Sequence, residues 1–220
     1  MTERADIAIA LAWPETSCKQ AGAWYDAPLR KLGINRNGFY QVGHAAVILL
    51  KRGSSEASYF DMGRYHAPVG TARVRDRSTD HELRIHARVE WTPDSEFPVD
   101  LYDLLQEVGS RKACHGDGIM HWAAIPVDHD RAVRKARYMQ GKHFIPYGPF
   151  IPWGSNCSRF VNTVIRAGLP ALHYSFLLRF PWMLSPTPLH NVQAISTYGH
   201  RGVVAPDGST ALQPSFCTNG

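Results

Sequence analysis

Apolar runs along the chain predict a set of buried strands. Residues 6–13 form a mostly apolar run that ends before Pro14, as is typical of a buried strand. Residues 45–50 form a second run, and a short polar segment separates it from residues 57–62. Two such runs joined by a turn predict an antiparallel hairpin. Two further runs, 84–91 and 119–127, complete the strands that the pattern predicts.

Helical spacing of apolar residues marks four other segments. In residues 157–167 the apolar positions 157, 160, 161, 164 and 165 fall on one face, and Gly168 follows as a stop signal. In residues 128–139, Asp128 is placed to cap the first turn. Both patterns predict amphipathic helices that pack one face against a core. The two remaining predicted helices are residues 24–32 and 99–108.

Three segments lack a regular period and are predicted to be irregular. Residues 64–80 are expected to form a long loop, in which Arg73, Arg75 and Arg77 alternate. Nearby acidic residues favour a solvated, charge-balanced surface for these arginines over an anion site. Residues 144–154 contain three prolines and two glycines, which predict a rigid aromatic loop. Residues 169–220 are rich in Pro, Ser and His, and we expect an irregular C-terminal extension that wraps the core.

The composition is that of one globular domain spanning residues 1–220. Of the 220 residues, 44% are apolar, which is enough for one substantial core. The 24 Lys and Arg against 19 Asp and Glu give a net charge of +5. Because the basic residues are not concentrated in one stripe, we expect no nucleic-acid partner.

The four cysteines are too far apart in the sequence for a paired-cysteine motif. Cys18, Cys114, Cys157 and Cys217 form no C-x-x-C pair, so neither a zinc knuckle nor a dithiol redox site is predicted. The common metal, nucleotide and serine-esterase motifs are missing as well, and we expect no metal and no cofactor. No apolar run suits a signal peptide or a membrane span. The sequence therefore predicts a cytoplasmic protein with free thiols and no stable membrane insertion.

Cys157 is the candidate nucleophile. It lies at the predicted start of the 157–167 helix, where unpaired N–H groups and the helix dipole stabilise a thiolate. The polar pair Ser155 and Asn156 precedes it, and the aromatic loop is placed to form the wall of a cleft. The alternative is a structural role, because a cysteine on the inner face of an amphipathic helix is often a small core residue.

His44 is the candidate base, because it opens an apolar strand directly after Gly43. In an antiparallel hairpin, facing residues have a constant sum of residue numbers. An odd sum close to that of His44 and Asp61 places both on one face, directly opposite or one diagonal step apart. Asp61 then orients the imidazole, whereas an even sum removes this third member. The alternatives are a strand-end role for His44, a turn-forming role for Asp61, and His66 as the base.

These residues resemble a known enzyme family. The sequence from Gly43 to Val47, the polar Asp61 in the next strand, and the later segment Asn156 to Val161 are similar to the circularly permuted branch of the NlpC-type papain-like cysteine hydrolases. The layout is also similar to that of the lecithin retinol acyltransferases. In this branch the histidine strand precedes the cysteine helix. The resemblance implies an α+β, papain-like fold in which a small antiparallel sheet packs against the helix that carries the cysteine.

The resemblance also implies roles for single residues. Cys157 is the nucleophile, His44 the base and Asp61 the third polar residue, where several relatives carry His, Asn or Gln. The Cys157 N–H supplies part of an oxyanion hole, and Tyr147 is placed to supply another donor. An ordinary loop tyrosine that packs on a neighbouring proline is the alternative for Tyr147. Asn156 and Ser158, which flank the cysteine, are candidates for oxyanion or substrate contacts.

Three functions remain open on this evidence. The first is a cysteine hydrolase, an amidase or peptidase that acts on a peptide such as a cell-wall stem peptide, although the missing export signal counts against that substrate. The second is a lipid acyltransferase or thioesterase, which calls for a wide apolar cleft. The third is a binding module that keeps the fold without catalysis. The residues that would form the apolar cleft are Phe150, Trp153, Phe180 and Trp182.

Overall fold

An eight-stranded antiparallel sheet organises the computed structural model, which describes residues 5–19, 26–31, 35–36, 39–180, 185–197 and 200–212. The strands are β1 (Asp6–Trp13), β2 (Ser17–Lys19), β3 (Asn35–Arg36), β4 (Phe39–Gln41), β5 (His44–Leu50), β6 (Ala57–Gly63), β7 (Thr71–Arg75), β8 (Met120–Val127), β9 (Ile145–Pro146), β10 (His200–Val204) and β11 (Thr210–Leu212). The helices are α1 (Asp26–Lys31), α2 (Leu101–Ser110), α3 (His129–Gln140), α4 (Cys157–Ala167), α5 (Leu172–Leu177) and α6 (Pro188–Ser196). The order in the large sheet is β11-β10-β8-β1-β5-β6-β7-β9, and β2-β4-β3 form a smaller sheet.

Both faces of the large sheet are covered, which explains why its central strands are continuously apolar. All seven residues of β5 are buried. The odd-numbered residues Ala45, Val47 and Leu49 belong to the core beneath α3, α4 and α6. The even-numbered residues Ala46, Ile48 and Leu50 belong to the core on the other face, beneath α2. Each central strand therefore contributes alternate side chains to two separate cores.

The register of the β5–β6 hairpin confirms the predicted placement of His44 and Asp61. Asp61 pairs with Ala46, so it lies on the same face as His44 and one diagonal step from it. On its other side β6 pairs with β7, and there Asp61 lies directly opposite Arg75. Asp61 thus has a strand neighbour that carries a potential partner on each side.

Helix α4 begins and ends where the sequence predicts. The side chain of Asn156 caps it by accepting a hydrogen bond from the Arg159 N–H at 2.8 Å. The apolar positions 157, 160, 161, 164 and 165 are all buried in the core beneath the helix. Capping and periodicity therefore place Cys157 in the first turn of a helix packed on the sheet.

Two segments between the hairpin and α2 differ from expectation. Residues 71–75 of the expected 64–80 loop form strand β7, because they pair with β6. The expected strand 84–91 is irregular, because other groups take up its backbone N–H groups. The N–H groups of His86 and Ala87 donate to the Glu107 carboxylate of α2, and the Val89 N–H donates to the Ser55 carbonyl.

The C-terminal segment is more regular than the expected irregular extension 169–220. It contains α5 and α6, and β10 joins the sheet beside β8. Thr187 caps α6 by accepting from the His190 N–H, and Pro188 occupies the first turn. Val192 and Ile195 are buried in the core beneath α3, α4 and α6, which we call the helix-side core. This segment therefore completes the fold, while residues 213–220 and the ends of the predicted helix 24–32 lie outside the described residues.

The predicted fold class is confirmed, with one difference of scale. The chain has a papain-like α+β arrangement in which an antiparallel sheet packs against the helix that carries Cys157. The sheet has eight strands and is larger than the small sheet expected.

The glycine before His44 provides a test of how tightly the start of β5 is fixed. Gly43 has φ +74°, and a Cβ there lies 2.9 Å from the Trp13 carbonyl oxygen, whereas Gly53 has φ +77° with open space around it. We expect Gly53→Ala to cost about 1 kcal/mol, from backbone strain alone. We expect Gly43→Ala to cost about 2 kcal/mol more, because backbone must shift. The free energy of unfolding in urea measures both, and equal losses would contradict the close packing at Gly43.

Candidate active site

A cleft of about 590 Å³ opens where β5 begins and β6 ends. The start of β5 contributes His44, and the segment after β6 contributes Arg64 and Tyr65. Most of the side chains that line the cleft are polar. The full lining is Thr16, Ser17, Cys18, His44, Met62, Gly63, Arg64, Tyr65, Lys112, His115, Gly116, Asp117 and Tyr147.

Cys157 lies next to this cleft with only 5% of its surface exposed. Burial raises the pKa of its thiol, but the hydrogen bond and charge of His44 outweigh burial, and the pKa lies below its usual value. The Ala45 N–H and the Ser158 hydroxyl also bond the sulfur, the latter at 3.9 Å. The hydrogen bonds around the sulfur and the adjacent histidine therefore favour the thiolate form.

His44 is buried and fixed on several sides. Its Nε2 atom lies 3.4 Å from Asp61 Oδ2, which leaves Nδ1 for Cys157. The Trp13 ring stacks on the imidazole at 5.9 Å between centroids, and the Tyr65 ring meets it edge-on. Burial lowers the pKa of His44, but hydrogen bonds to Asp61 and Cys157 raise it to about 9. At neutral pH the geometry thus favours an imidazolium–thiolate pair.

The Asp61 carboxylate is completely buried and accepts hydrogen bonds from three elements. Arg75 donates to both oxygens, with Nε at 2.9 Å from Oδ1 and Nη2 at 2.5 Å from Oδ2. The Tyr59 hydroxyl also donates to Oδ2, at 3.1 Å. Burial raises the pKa of Asp61, but hydrogen bonds from His44 and Arg75 outweigh it and hold the pKa below its usual value. The third residue is therefore a carboxylate and not a neutral acid.

Arg75 is the site residue that sequence reasoning missed. The solvated surface expected for the three alternating arginines is wrong for Arg75, which is 1% exposed. For Arg73 the expected charge balance is present, since that guanidinium binds Asp80, but the side chain is largely buried and not solvated. The exposed Arg77 pairs with Glu56. The signal was present in the alternation from Ala72 to Arg75, which is typical of a strand. Once 71–75 is a strand beside β6, its register places Arg75 opposite Asp61.

Cys157 and its partners approach from opposite faces of the sheet. Cys157 belongs to the helix-side core, whereas Trp13 and Tyr59, the neighbours of His44 and Asp61, belong to the α2-side core. Contact is made at the first residues of β5, where the Ala45 N–H donates to the sulfur. The site therefore straddles the end of a strand.

Three other candidate residues surround Cys157 in different ways. Tyr147 is partly buried and lines the cleft, and burial raises the pKa of its hydroxyl, which stays protonated. Both polar atoms of the Asn156 side chain have partners in the protein, the Arg159 N–H and the Ser185 hydroxyl. The Ser158 side chain is buried against the sulfur. Oxyanion and substrate contacts from these three residues stay predictions.

The residues expected to form an apolar cleft lie elsewhere. Phe150, Trp153 and Phe180 are exposed at the surface and do not line the cleft. Trp182 falls outside the residues that the structure describes. The aromatic loop therefore does not provide the apolar floor that a lipid substrate calls for.

The remaining described thiols differ from Cys157 in their surroundings. Burial raises the pKa of Cys18 to about 11 and that of Cys114 to about 12. Cys217 lies outside the described residues. Across the described ranges, no group of three or more His, Cys, Asp or Glu side chains is arranged to hold a metal ion. None of the helices in those ranges combines the length and apolarity needed to cross a membrane.

Comparison with solved structures shows the same fold in a bacterial effector. The crystal structure of the type VI secretion system effector TseH matches 97% of this chain and 100% of its own, with a TM-score of 0.65 and 16% identical residues. No curated protein matches the sequence. At this level of identity, the structural likeness shows the fold alone.

The family assignment comes from the sequence itself. A family model described as type VI secretion system effector TseH-like matches residues 8–173, well over half of the chain. The matched range includes His44, Asp61, Arg75 and Cys157. The chain therefore belongs to the TseH-like family of type VI secretion system effectors.

Proposed function

We propose that the chain is a cysteine hydrolase of the amidase or peptidase type. The observation that carries this proposal is the buried contact between Cys157 and His44, in which the pKa of the thiol is lowered and that of the imidazole is raised to about 9. A structural cysteine in a core has the opposite property, as the raised pKa of Cys114 illustrates. The order of the site, with the histidine strand before the cysteine helix, supports the permuted papain-like assignment.

The proposed reaction has two stages, acylation of Cys157 and hydrolysis of the acyl-enzyme. The Cys157 thiolate attacks the carbonyl carbon of a peptide bond, and the C–N bond breaks as the His44 imidazolium gives its proton to the leaving amine. This step leaves a thioester on Cys157. His44, now neutral, takes a proton from water, which attacks the thioester, and the carboxylic acid product leaves as the thiolate is restored. Asp61 keeps the imidazole oriented throughout.

The start of α4 supplies the proposed oxyanion stabilisation. The first N–H groups of a helix have no intrahelical partner, and the helix dipole places positive charge at Cys157. The Tyr147 hydroxyl, which lines the same cleft and stays protonated, is the proposed second donor. Donors of this kind stabilise the negative charge that develops on the carbonyl oxygen.

The cleft supports a peptide substrate over a lipid chain. Its lining includes Arg64, Lys112 and Asp117. Side chains of this kind suit polar or charged substrate groups better than an apolar acyl chain. We propose a cell-wall stem peptide as the substrate. Family membership supports this choice, because a type VI effector is delivered by a secretion machine, so a substrate outside the producing cell is within reach.

Alkylation by iodoacetamide tests whether Cys157 is activated. We expect Cys157 to be the most reactive described thiol at neutral pH, because Cys18 and Cys114 are protonated there, with pKa values of about 11 and 12. We expect His44→Ala to lower the Cys157 rate at least about tenfold, since it removes the group that lowers the thiol pKa. Mass spectrometry of the labelled peptides separates the cysteines.

His66→Ala is the matched control, because His66 lies exposed on the segment after β6. Labelling of Cys157 no faster than of Cys114, or an equal effect of both histidine substitutions, would contradict the activated pair.

Hydrolysis of purified stem peptides tests the reaction itself. We expect new free amino groups, detected by mass spectrometry, and no product from Cys157→Ala. His44→Ala is expected to lose about 10²–10⁴-fold in rate, the range for a lost general acid–base. The rate should fall as the pH rises past about 9, because His44 then lacks the proton that the leaving amine needs.

Thioester and ester acyl donors provide the comparison. Release of acyl groups without peptide cleavage would contradict the peptidase proposal and favour the acyltransferase or thioesterase. Binding of stem peptide without cleavage of either substrate would favour a non-catalytic module.

A further inference from the structure

Arg75 stands at the end of a row of four side chains of alternating charge. The guanidinium binds the Asp61 carboxylate through two hydrogen bonds, Asp61 lies 3.4 Å from His44, and His44 bonds Cys157. With the thiol ionised and the imidazole protonated, the charges read plus, minus, plus, minus and sum to zero. Three of the four residues are less than 5% exposed and Cys157 is 5% exposed, so water screens these charges poorly.

The hydrogen bonds of Arg75 determine where the carboxylate points. The two shortest contacts of Asp61 are those with Arg75, at 2.5 and 2.9 Å, compared with 3.1 Å to Tyr59 and 3.4 Å to His44. A planar guanidinium that donates to both oxygens fixes the plane of a carboxylate as well as its position. Oδ2 is thereby presented to His44.

Arg75 is itself held on its other sides. Its Nη2 atom donates to the Ala113 carbonyl at 3.2 Å, and its guanidinium lies 3.7 Å from the centre of the Tyr65 ring. Tyr65 in turn stacks on His115 at 4.3 Å. These contacts give the arginine one position, opposite Asp61 in the strand register. The titratable and charged groups that face the row are Tyr59, Tyr65, Asp80, Cys114, His115, Tyr147 and Cys18.

We propose that Arg75 is a positioning residue for the hydrolytic reaction, which acts on Cys157 through Asp61 and His44. This inference rests on the proposed function, since it assigns Arg75 a task within that site. Without the guanidinium, the ionised row carries a net negative charge in a buried place. Such a site takes up a proton. Protonation of the sulfur removes the thiolate that the reaction needs.

The pH dependence of iodoacetamide labelling at Cys157 tests the proposal. We expect Arg75→Met to move the labelling profile to higher pH, with a tenfold lower rate at neutral pH for each unit of the shift. Arg75→Lys keeps the charge and loses the two-point geometry, so it should retain more of the wild-type profile than Arg75→Met. Arg73→Met is the matched control, because Arg73 also binds a carboxylate in two places from β7, but its partner is Asp80.

An Asp61→Asn background tests whether the effect passes through the carboxylate. There we expect Arg75→Met to cause no further loss of labelling, because the proposed route is already broken. If Arg75→Met alone fails to fold, Arg75→Lys decides the question, because it keeps a cation beside Asp61 and leaves no unpaired buried charge. An Arg75→Lys profile identical to that of the wild type would then contradict the two-point positioning. Circular dichroism shows which variants are folded.

Failure of this inference and failure of the proposed function give different labelling results. If Arg75→Met labels like Arg73→Met while His44→Ala has lost labelling, Arg75 is a purely structural residue and the inference is wrong. A further loss on adding Arg75→Met to Asp61→Asn also overturns it, since the arginine then acts by another route. If His44→Ala itself labels like the wild type, the proposed function fails and the inference fails with it.

Discussion

The buried carboxylate of Asp61 is the constraint on which the site depends. A carboxylate without access to water is stable only when other groups of the protein donate hydrogen bonds to it and compensate its charge. Strand neighbours on both sides provide this, Arg75 from β7 and, one diagonal step away, His44 from β5. Hydrogen bonds to Asp61 and Cys157 raise the pKa of the imidazole to about 9, and the hydrogen bond and charge of His44 in turn lower the pKa of Cys157. The ion pairing and the proposed activation of Cys157 thus both depend on one buried charge.

The two-sided burial of the sheet determines where Cys157 meets these charged residues. Because alternate residues of β5 face different cores, His44 and the helix that carries Cys157 cannot meet across the middle of the sheet. They meet at the end of β5, beyond which Gly43 turns the chain tightly against Trp13. The cleft opens at this same place, so the cleft and the contact between His44 and Cys157 share one location.

Local signals carried most of the sequence prediction. The cap at Asn156 and the spacing after Cys157 lie within one helix, and the His44–Asp61 relation follows from the alternation of a hairpin. The misses depend on distant partners. Residues 84–91 alternate like a strand, yet the N–H groups of His86 and Ala87 donate to Glu107 of α2. Residues 71–75 form a strand because β6 lies beside them. The regular elements after residue 169 pack on strands far away in the sequence, which no local pattern records.

The distribution of the site along the chain has a consequence for folding. His44, Asp61 and Arg75 come from three consecutive antiparallel strands, so their contacts close short loops, whereas Cys157 joins them from far along the sequence. Contacts between near neighbours in sequence form faster than distant ones, since less chain entropy is lost in closing them. The acid–base half of the site can therefore assemble before α4 docks. Until docking is complete, Cys157 lacks the His44 contact that lowers its pKa, so under the proposed mechanism chemical competence arrives with the last tertiary contact.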